Sequence, residues 1–411
     1  MSFRTFSTMS CMDICKAAAI RCFLTSGVFG MTFVFAMSAG AASKSSTLDA
    51  AVQLSPSRSV SLKACGWEPE PLVVHHTGYV PLKLAFDHRG NLWTGYTKKS
   101  QQVVPRSAPE LGALYNVVEL SGNPTQCVVQ MKLPTTESSP VAVLFSDKDD
   151  MLVVANDKLH VVDQNGFKER AAFDLLRASD QARYQVLQSP QRKSLVALAD
   201  GFTRAESSYT WLDSASLQVL HACSYPPVPE HYVRLRSFAD DGRFIEVEHG
   251  PGTQGHWISE GRYCSAKTII PPDHIQPAAA IMLESETAYF RDNPLNDNLP
   301  SIVVYDRAGT LLHSVPGHDK ESMSANGGTV ISEDGRRAAV LLNITSGGAR
   351  WLDISNHVAA QRVDIYDTAT WTRIAQISLS SKGEAELAFS PDGKTLAIQT
   401  NDLVQFYDAL P

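Results

Sequence analysis

The chain has 411 residues, 44% apolar and 19% charged, with 36 basic against 43 acidic side chains and a net charge of −7. No stretch holds five like charges in a row. A nucleic-acid groove or a polybasic membrane patch needs concentrated Lys and Arg, so the charge pattern argues against both.

Residues 1–42 differ in composition from the rest. Lys16 and Arg21 precede residues 22–42, which carry no charge, are rich in Phe, Val, Met, Gly and Ala, and end near Ala39-Gly40-Ala41. A basic flank, an apolar stretch and a small-x-small close predict an export signal and a periplasmic or extracellular protein. Left uncleaved, the same segment is just long enough to anchor the chain in a bilayer, the one route to a membrane that the sequence offers. Residues 43–56, rich in Ser and Ala, read as a linker, and residues 57–411 as a single β domain.

From residue 80 onward one phrase recurs seven times: an apolar strand, a polar turn, a second apolar strand, then a third that ends in an acidic or small polar residue. The first strands end at Phe86, Phe145, Leu187, Phe238, Leu283, Ile331 and Phe389, spaced 42 to 59 residues apart. Turns such as Asp87-His88-Arg89-Gly90, Ala239-Asp240-Asp241-Gly242, Ser332-Glu333-Asp334-Gly335 and Ser390-Pro391-Asp392-Gly393 follow them. Gly supplies positive φ there, and Asp and Pro preset the turn. A second register, Glu119, Asp163, Asp213, Ser259, Asp306, Asp367 and Asp408, marks the third strands. An Asp at a strand end accepts backbone N–H groups of the next turn, so these carboxylates read as structural rather than catalytic.

Units of this length cannot bury their own faces and must stack on their neighbours. The expected fold is all-β, a seven-bladed β-propeller. Its last copy has only three strands, and Val60-Ser61-Leu62-Lys63-Ala64 alternates as a strand ahead of the first copy. Residues 57–64 are therefore expected to complete the last blade, which pairs two edges that would otherwise stay open.

Phe389-Ser390-Pro391-Asp392-Gly393-Lys394-Thr395-Leu396-Ala397 and the pairs Tyr305-Asp306, Tyr366-Asp367 and Tyr407-Asp408 resemble the repeats of WD-repeat and TolB-like propellers. The likeness extends over residues 57–411 and is most specific in the last two copies. The Gly-His dipeptide and the Trp of Trp-Asp are absent, so the His-Asp network of WD repeats is not carried over. What the resemblance implies is a binding platform, with no catalytic residue.

In such a blade the first-to-second (A–B) turns lie on one rim and the second-to-third (B–C) connections on the other. Here the A–B turns are short, whereas connections near 97–112, 200–207, 249–256, 291–300 and 344–360 are long. Long connections in a compact fold carry function or are disordered. The richest contains Arg350, Trp351, Asp353 and His357. Trp and Arg are common binding anchors, although Trp351 can equally plug its own loop. Arg291 and His256 border two further loops and complete the candidate surface.

Asp292, Asn293, Asn296, Asp297 and Asn298 offer oxygens for Ca²⁺, but their spacing fits no EF-type loop and they read as turn residues. His75, His76, His249, His256 and His357 lack metal-ligand spacing. No nucleophile elbow, P-loop or dinucleotide fingerprint is present. No metal, cofactor or catalytic residue is therefore assigned.

Beyond the leader, Cys65, Cys127, Cys223 and Cys264 allow three pairings. Chain order favours Cys65 with Cys127 and Cys223 with Cys264. Their places on or near outermost strands of different blades argue for Cα separations beyond disulfide reach, leaving buried free thiols as the alternative. The functional expectation is an exported, monomeric, non-enzymatic platform for a protein, peptide or envelope component. The alternative is a propeller enzyme, a lactonase-type hydrolase or quinone-dependent oxidoreductase, with its site at the channel mouth.

Overall fold

A computed structural model of the chain describes residues 51–67, 84–98, 113–135, 142–155, 158–164, 166–174, 183–200, 207–225, 232–249, 256–269, 277–291, 300–316, 321–323, 328–345, 358–380, 385–400 and 402–408. The expected leader, the first part of the linker, and His75 and His76 lie outside them. Apart from one 3-10 helix, Leu62–Cys65, the regular structure of these residues is all strand.

The strands form sheets that follow one another along the chain. Sheets one to five, within residues 85–135, 142–174, 183–225, 232–269 and 277–316, are four-stranded meanders. Sheet seven is also four-stranded: Ala385–Phe389, Leu396–Thr400 and Leu403–Tyr407 come from the C-terminal part of the chain. Its outer strand, β2 (Arg58–Ser61), runs antiparallel to residues 403–406.

Sheet six departs from the expected seven equal blades, so only six sheets have the regular four-stranded build. It has six strands, for two reasons. The inner position is shared by Glu321–Met323 and Thr329–Ile331, both paired with Arg337–Thr345. Asn326-Gly327-Gly328 lies between them, and Leu341 N–H bonds the Gly328 carbonyl at 2.6 Å. A Cβ on Gly328 would sit 2.3 Å from Leu341 Cβ, so this approach demands glycine. At the outer edge a short strand, β1 (Val52–Gln53), adds in parallel to Thr372–Leu379.

Each sheet packs on the next through its own apolar cluster. Trp93, Phe145 and Met151 join sheets one and two; Leu144, Leu195 and Leu212 join two and three; Trp211, Phe238 and Phe244 join three and four. Met282 and Tyr305 lie against Ala239 of sheet four, Phe290 and Trp371 between five and six, and Ile365 and Leu387 between six and seven. Val60, Leu62, Phe86, Leu92 and Phe406 close sheet seven on sheet one. Alternation along each strand aims side chains at both neighbours in turn, which explains why the strands read as nearly continuous apolar runs.

The A–B turns repeat at atomic level. In six of them the residue after the first strand accepts an i+3 backbone bond from Gly90, Asp149, Arg192, Gly242, Gly335 or Gly393. All six donors have positive φ, between 60° and 82°. Polar side chains finish the turn: Ser390 Oγ donates to Asp392 Oδ1 at 2.7 Å and accepts Thr395 N–H at 2.9 Å, while Asp392 accepts Lys394 N–H at 3.1 Å. Ser332 and Asp334 repeat the arrangement.

The expected role of the third-strand Asp holds for Asp213, Asp306 and Asp367, which accept N–H groups from Ser216, from Ala308 and Thr310, and from Thr370. Asp408 differs. Its next strand comes from elsewhere in the chain, and it accepts the Ser57 and Thr395 hydroxyls instead.

These bonds have a pH signature. The Ser216 hydroxyl and N–H lower the Asp213 pKa, the Thr310 N–H lowers that of Asp306, and the Ser390 hydroxyl and Lys394 N–H lower that of Asp392. A carboxylate depressed in the folded state contributes stability in full above its unfolded value near ~4, and loses it as pH falls through the lowered folded value. Urea midpoints are expected to be flat from neutral pH down to about pH 5 and to fall below about pH 4. Asp392→Asn should start lower at neutral pH and show a shallower acid limb; an identical acid limb would remove this turn from the account.

Both cysteine pairs are disulfides. Cys65 bonds Cys127 and Cys223 bonds Cys264, with Cα separations of 5.5 and 5.6 Å. The expectation of excessive distance is corrected because each bond joins neighbouring sheets where their outer parts meet. Cys65 ends the 3-10 helix after β2 and meets the outer strand of sheet one. Cys223, on the outer strand of sheet three, meets the last hairpin turn of sheet four.

Candidate functional site

The ring has two rims of different character. On the A–B rim, several polar groups bond one another, although Arg192 Nη1, Asp240 Oδ1 and Glu333 Oε2 are buried there without a hydrogen-bond partner among the described residues. Asp87, fully buried, accepts Arg89 and Asn91 N–H at 2.9 and 2.8 Å, and Asn91 Nδ2 and Trp93 Nε1 at 3.1 and 3.0 Å. His88 N–H donates to Asp149 Oδ1 of the next sheet at 3.0 Å. Arg243 donates to the Leu283 and Glu284 carbonyls at 3.1 and 3.0 Å, and Arg337 to the Gly393 carbonyl at 2.8 Å. These bonds tie the turns of sheets one and two, four and five, and six and seven.

One contact crosses the ring. Arg192 Nε of sheet three lies 3.3 Å from Glu333 Oε2 of sheet six, although these sheets are not neighbours. The pair spans the central opening on this rim. Burial pulls the Arg192 pKa below its ordinary value, while Glu333, Asp149 and Asp87 oppose that shift. Arg192 also holds φ at 60°, where four of the six equivalent turns have glycine. A side chain kept there despite the backbone cost points to a task for the guanidinium. In a double-mutant cycle with Arg192→Ala and Glu333→Ala, a coupling of about 1–3 kcal/mol is expected from urea unfolding. Strict additivity would mean that the pair does not form.

On the opposite rim, five B–C connections separate described strands: 99–112, 201–206, 250–255, 292–299 and 346–357. Arg350, Trp351, Asp353 and His357 fall in the last of these and lie outside the described residues. Arg291 ends the strand Glu286–Arg291, and His256 begins His256–Arg262, where it lies opposite His249 in register. Both therefore stand at the mouths of long connections. Beneath this rim, Thr94 Oγ1 donates to Gln399 Oε1 at 3.1 Å, linking sheets one and seven through buried side chains.

Motif reasoning missed Arg192, Glu333 and Asp87. The available signal was the turn alignment, because an Arg in a column otherwise filled by Gly and Asp stands out once the turns are superposed. Among the described residues, no group of three or more His, Cys, Asp or Glu could hold a metal ion.

No family model matches the chain, and no curated protein matches it. Among solved structures, a chain of the mitotic checkpoint complex superposes with a TM-score of 0.54 at 12% identity, covering 87% of this chain and 95% of that one. The shared fold is a β-propeller. A structure of a eukaryotic initiation factor gives a TM-score of 0.43 at 11% identity, covering 80% of this chain and 81% of that one. In this propeller Asp213, Asp306 and Asp367 serve their own turns.

Proposed function

We propose that the protein is an exported, monomeric, non-enzymatic platform of WD-repeat and TolB-like type, which binds a protein or peptide of the cell envelope on the face bearing the long B–C connections. In this reading the six-stranded sheet counts as a blade beside the six regular ones, giving a seven-membered ring. Arg350, Trp351, Asp353 and His357 form the recognition surface with Arg291 and His256 at its border.

The observation that carries the reading is the asymmetry of the rims. On the A–B rim the turns are short, three pairs of neighbouring turns are bonded to one another, and Arg192 and Glu333 pair across non-adjacent sheets. Long connections on the other face leave room for recognition without disturbing the sheets. Two disulfides support export, since such bonds persist mainly in oxidising compartments. The similar chain of the mitotic checkpoint complex belongs to an assembly, which favours a protein partner.

The test compares three baits in an envelope extract: wild type, Arg350→Ala/Trp351→Ala, and Asp147→Ala/Lys148→Ala on the opposite rim. A partner is expected to be retained by the first and third and lost by the second. Recovery of the same proteins by all three, or of background alone, would count against the recognition face.

A further inference from the structure

Among the described strands, β1 makes the one parallel pairing: Val52 lies opposite Ala375 and Gln53 opposite Gln376. Its attachment is slight. Leu54 N–H donates to the Gln376 carbonyl at 2.9 Å, and the Gln53 side-chain amide reaches Ser378 Oγ at 3.5 Å. Leu54 packs, partly buried, against the cluster between sheets six and seven, whereas Val52 is 53% exposed. A few residues on, β2 pairs along its whole length and is followed by the fully buried Leu62.

The energetics separate these two parts of one segment. The net contribution of one backbone hydrogen bond does not exceed the conformational entropy lost on ordering one residue. With so few bonds and one half-buried Leu, β1 is docked but only weakly held, while β2 is held by a full ladder and the core. The strand it covers, Thr372–Leu379, is eight residues long, and β1 lies beside only Ala375 and Gln376. An uncovered strand edge is a template for a further strand.

We propose that the outer edge of sheet six is an acceptor site for an extended peptide segment, and that residues 52–54 are its built-in occupant, displaced when a competing segment adds in parallel. The incoming segment is recognised by a backbone N–H offered to the Gln376 carbonyl and by an apolar side chain in the place of Leu54. A longer segment gains affinity by pairing along more of residues 372–379 than β1 does. This site is independent of the long-connection face and stands or falls separately from it.

The experiment uses a fluorescent peptide of residues 48–55 and the full chain, as wild type and as Leu54→Pro, which removes both the donated N–H and the Leu side chain. Anisotropy is expected to give saturable binding to Leu54→Pro and binding weaker by on the order of tenfold to wild type, whose own segment competes. A peptide carrying the same Leu54→Pro change should bind neither chain. Equal binding to both chains, or no saturable binding to Leu54→Pro, overturns the proposal. A second measurement does not depend on the variant's folding: in wild type, the Leu54 amide should exchange with solvent much faster than the Leu62 amide, which bonds the Asp402 carbonyl at 2.7 Å. Equal protection of the two amides would show a fixed strand and would also end the proposal.

Discussion

Replacing Cys65 and Cys127 together by alanine is expected to cost about 4 kcal/mol of folding stability, read as a lowered urea midpoint at unchanged slope. The bond closes a loop of 62 residues, and most of its effect comes from restricting the unfolded chain. Its position adds a local consequence. Cys65 follows β2, the strand that closes sheet seven, and Cys127 belongs to sheet one, so the bond spans the seam between sheets seven and one. The same seam holds Val60 and Leu62 in the core, and the Tyr96 hydroxyl donates to the Cys65 carbonyl. The variant should therefore still fold, with faster exchange of the Ser57 and Leu62 amides, which bond Phe406 and Asp402. Removing Cys223 and Cys264, 41 residues apart, should lower the midpoint by a similar amount and leave those two amides unchanged. If both double variants loosen β2 equally, the first disulfide is not a clasp on the ring.

Much of this seam was legible in the sequence because its signals are local. The three-stranded last copy calls for a fourth strand, and the alternation near residue 60 places it, although the strand covers only Arg58–Ser61 and Leu62–Cys65 form a 3-10 helix instead of its expected continuation. The A–B turns were legible for the same reason: Asp, Ser and Gly at fixed offsets have one conformational meaning. Sheet six was not. Its inner position is shared by two short strands, Glu321–Met323 and Thr329–Ile331, and no sequence pattern announces the close approach of Leu341 to Gly328. The parallel addition of β1 was also hidden, since two residues carry no periodicity. Cross-ring and inter-sheet pairs such as Arg192–Glu333 escape motif reasoning because partners 141 positions apart leave no spacing to recognise. The same limit applies to the proposed recognition surface: its residue types suggest binding, but convergence is a property of three dimensions.

Asp364→Ala is expected to be the most damaging single substitution away from the apolar clusters, costing about 3–5 kcal/mol. The Asp364 carboxylate is 1% exposed and faces two guanidinium groups. Arg362 donates two parallel bonds to it, at 2.6 and 2.7 Å, and Arg373 donates a third at 3.2 Å. With side-chain exposures of 13% and 19%, neither Arg can turn fully to water, so deleting the carboxylate leaves like charges confined together. Asp364→Asn should cost less, because one acceptor oxygen remains. Replacing all three by Leu or Met should recover much of the loss, since the penalty comes from stranded charge rather than from missing attraction. The comparison pair is Lys158 with Asp174, 3.2 Å apart but 49% and 84% exposed, whose disruption should change stability by no more than about 1 kcal/mol and less in high salt. The Asp364→Ala effect should be nearly independent of salt, because ions cannot reach the cluster. Asp364 lies in the strand Val358–Asp367, which directly follows the 346–357 connection. If Asp364→Ala cost no more than the exposed pair and showed the same salt dependence, the cluster would be solvated, and that strand would lose its claim to a rigid base beneath the proposed recognition loop.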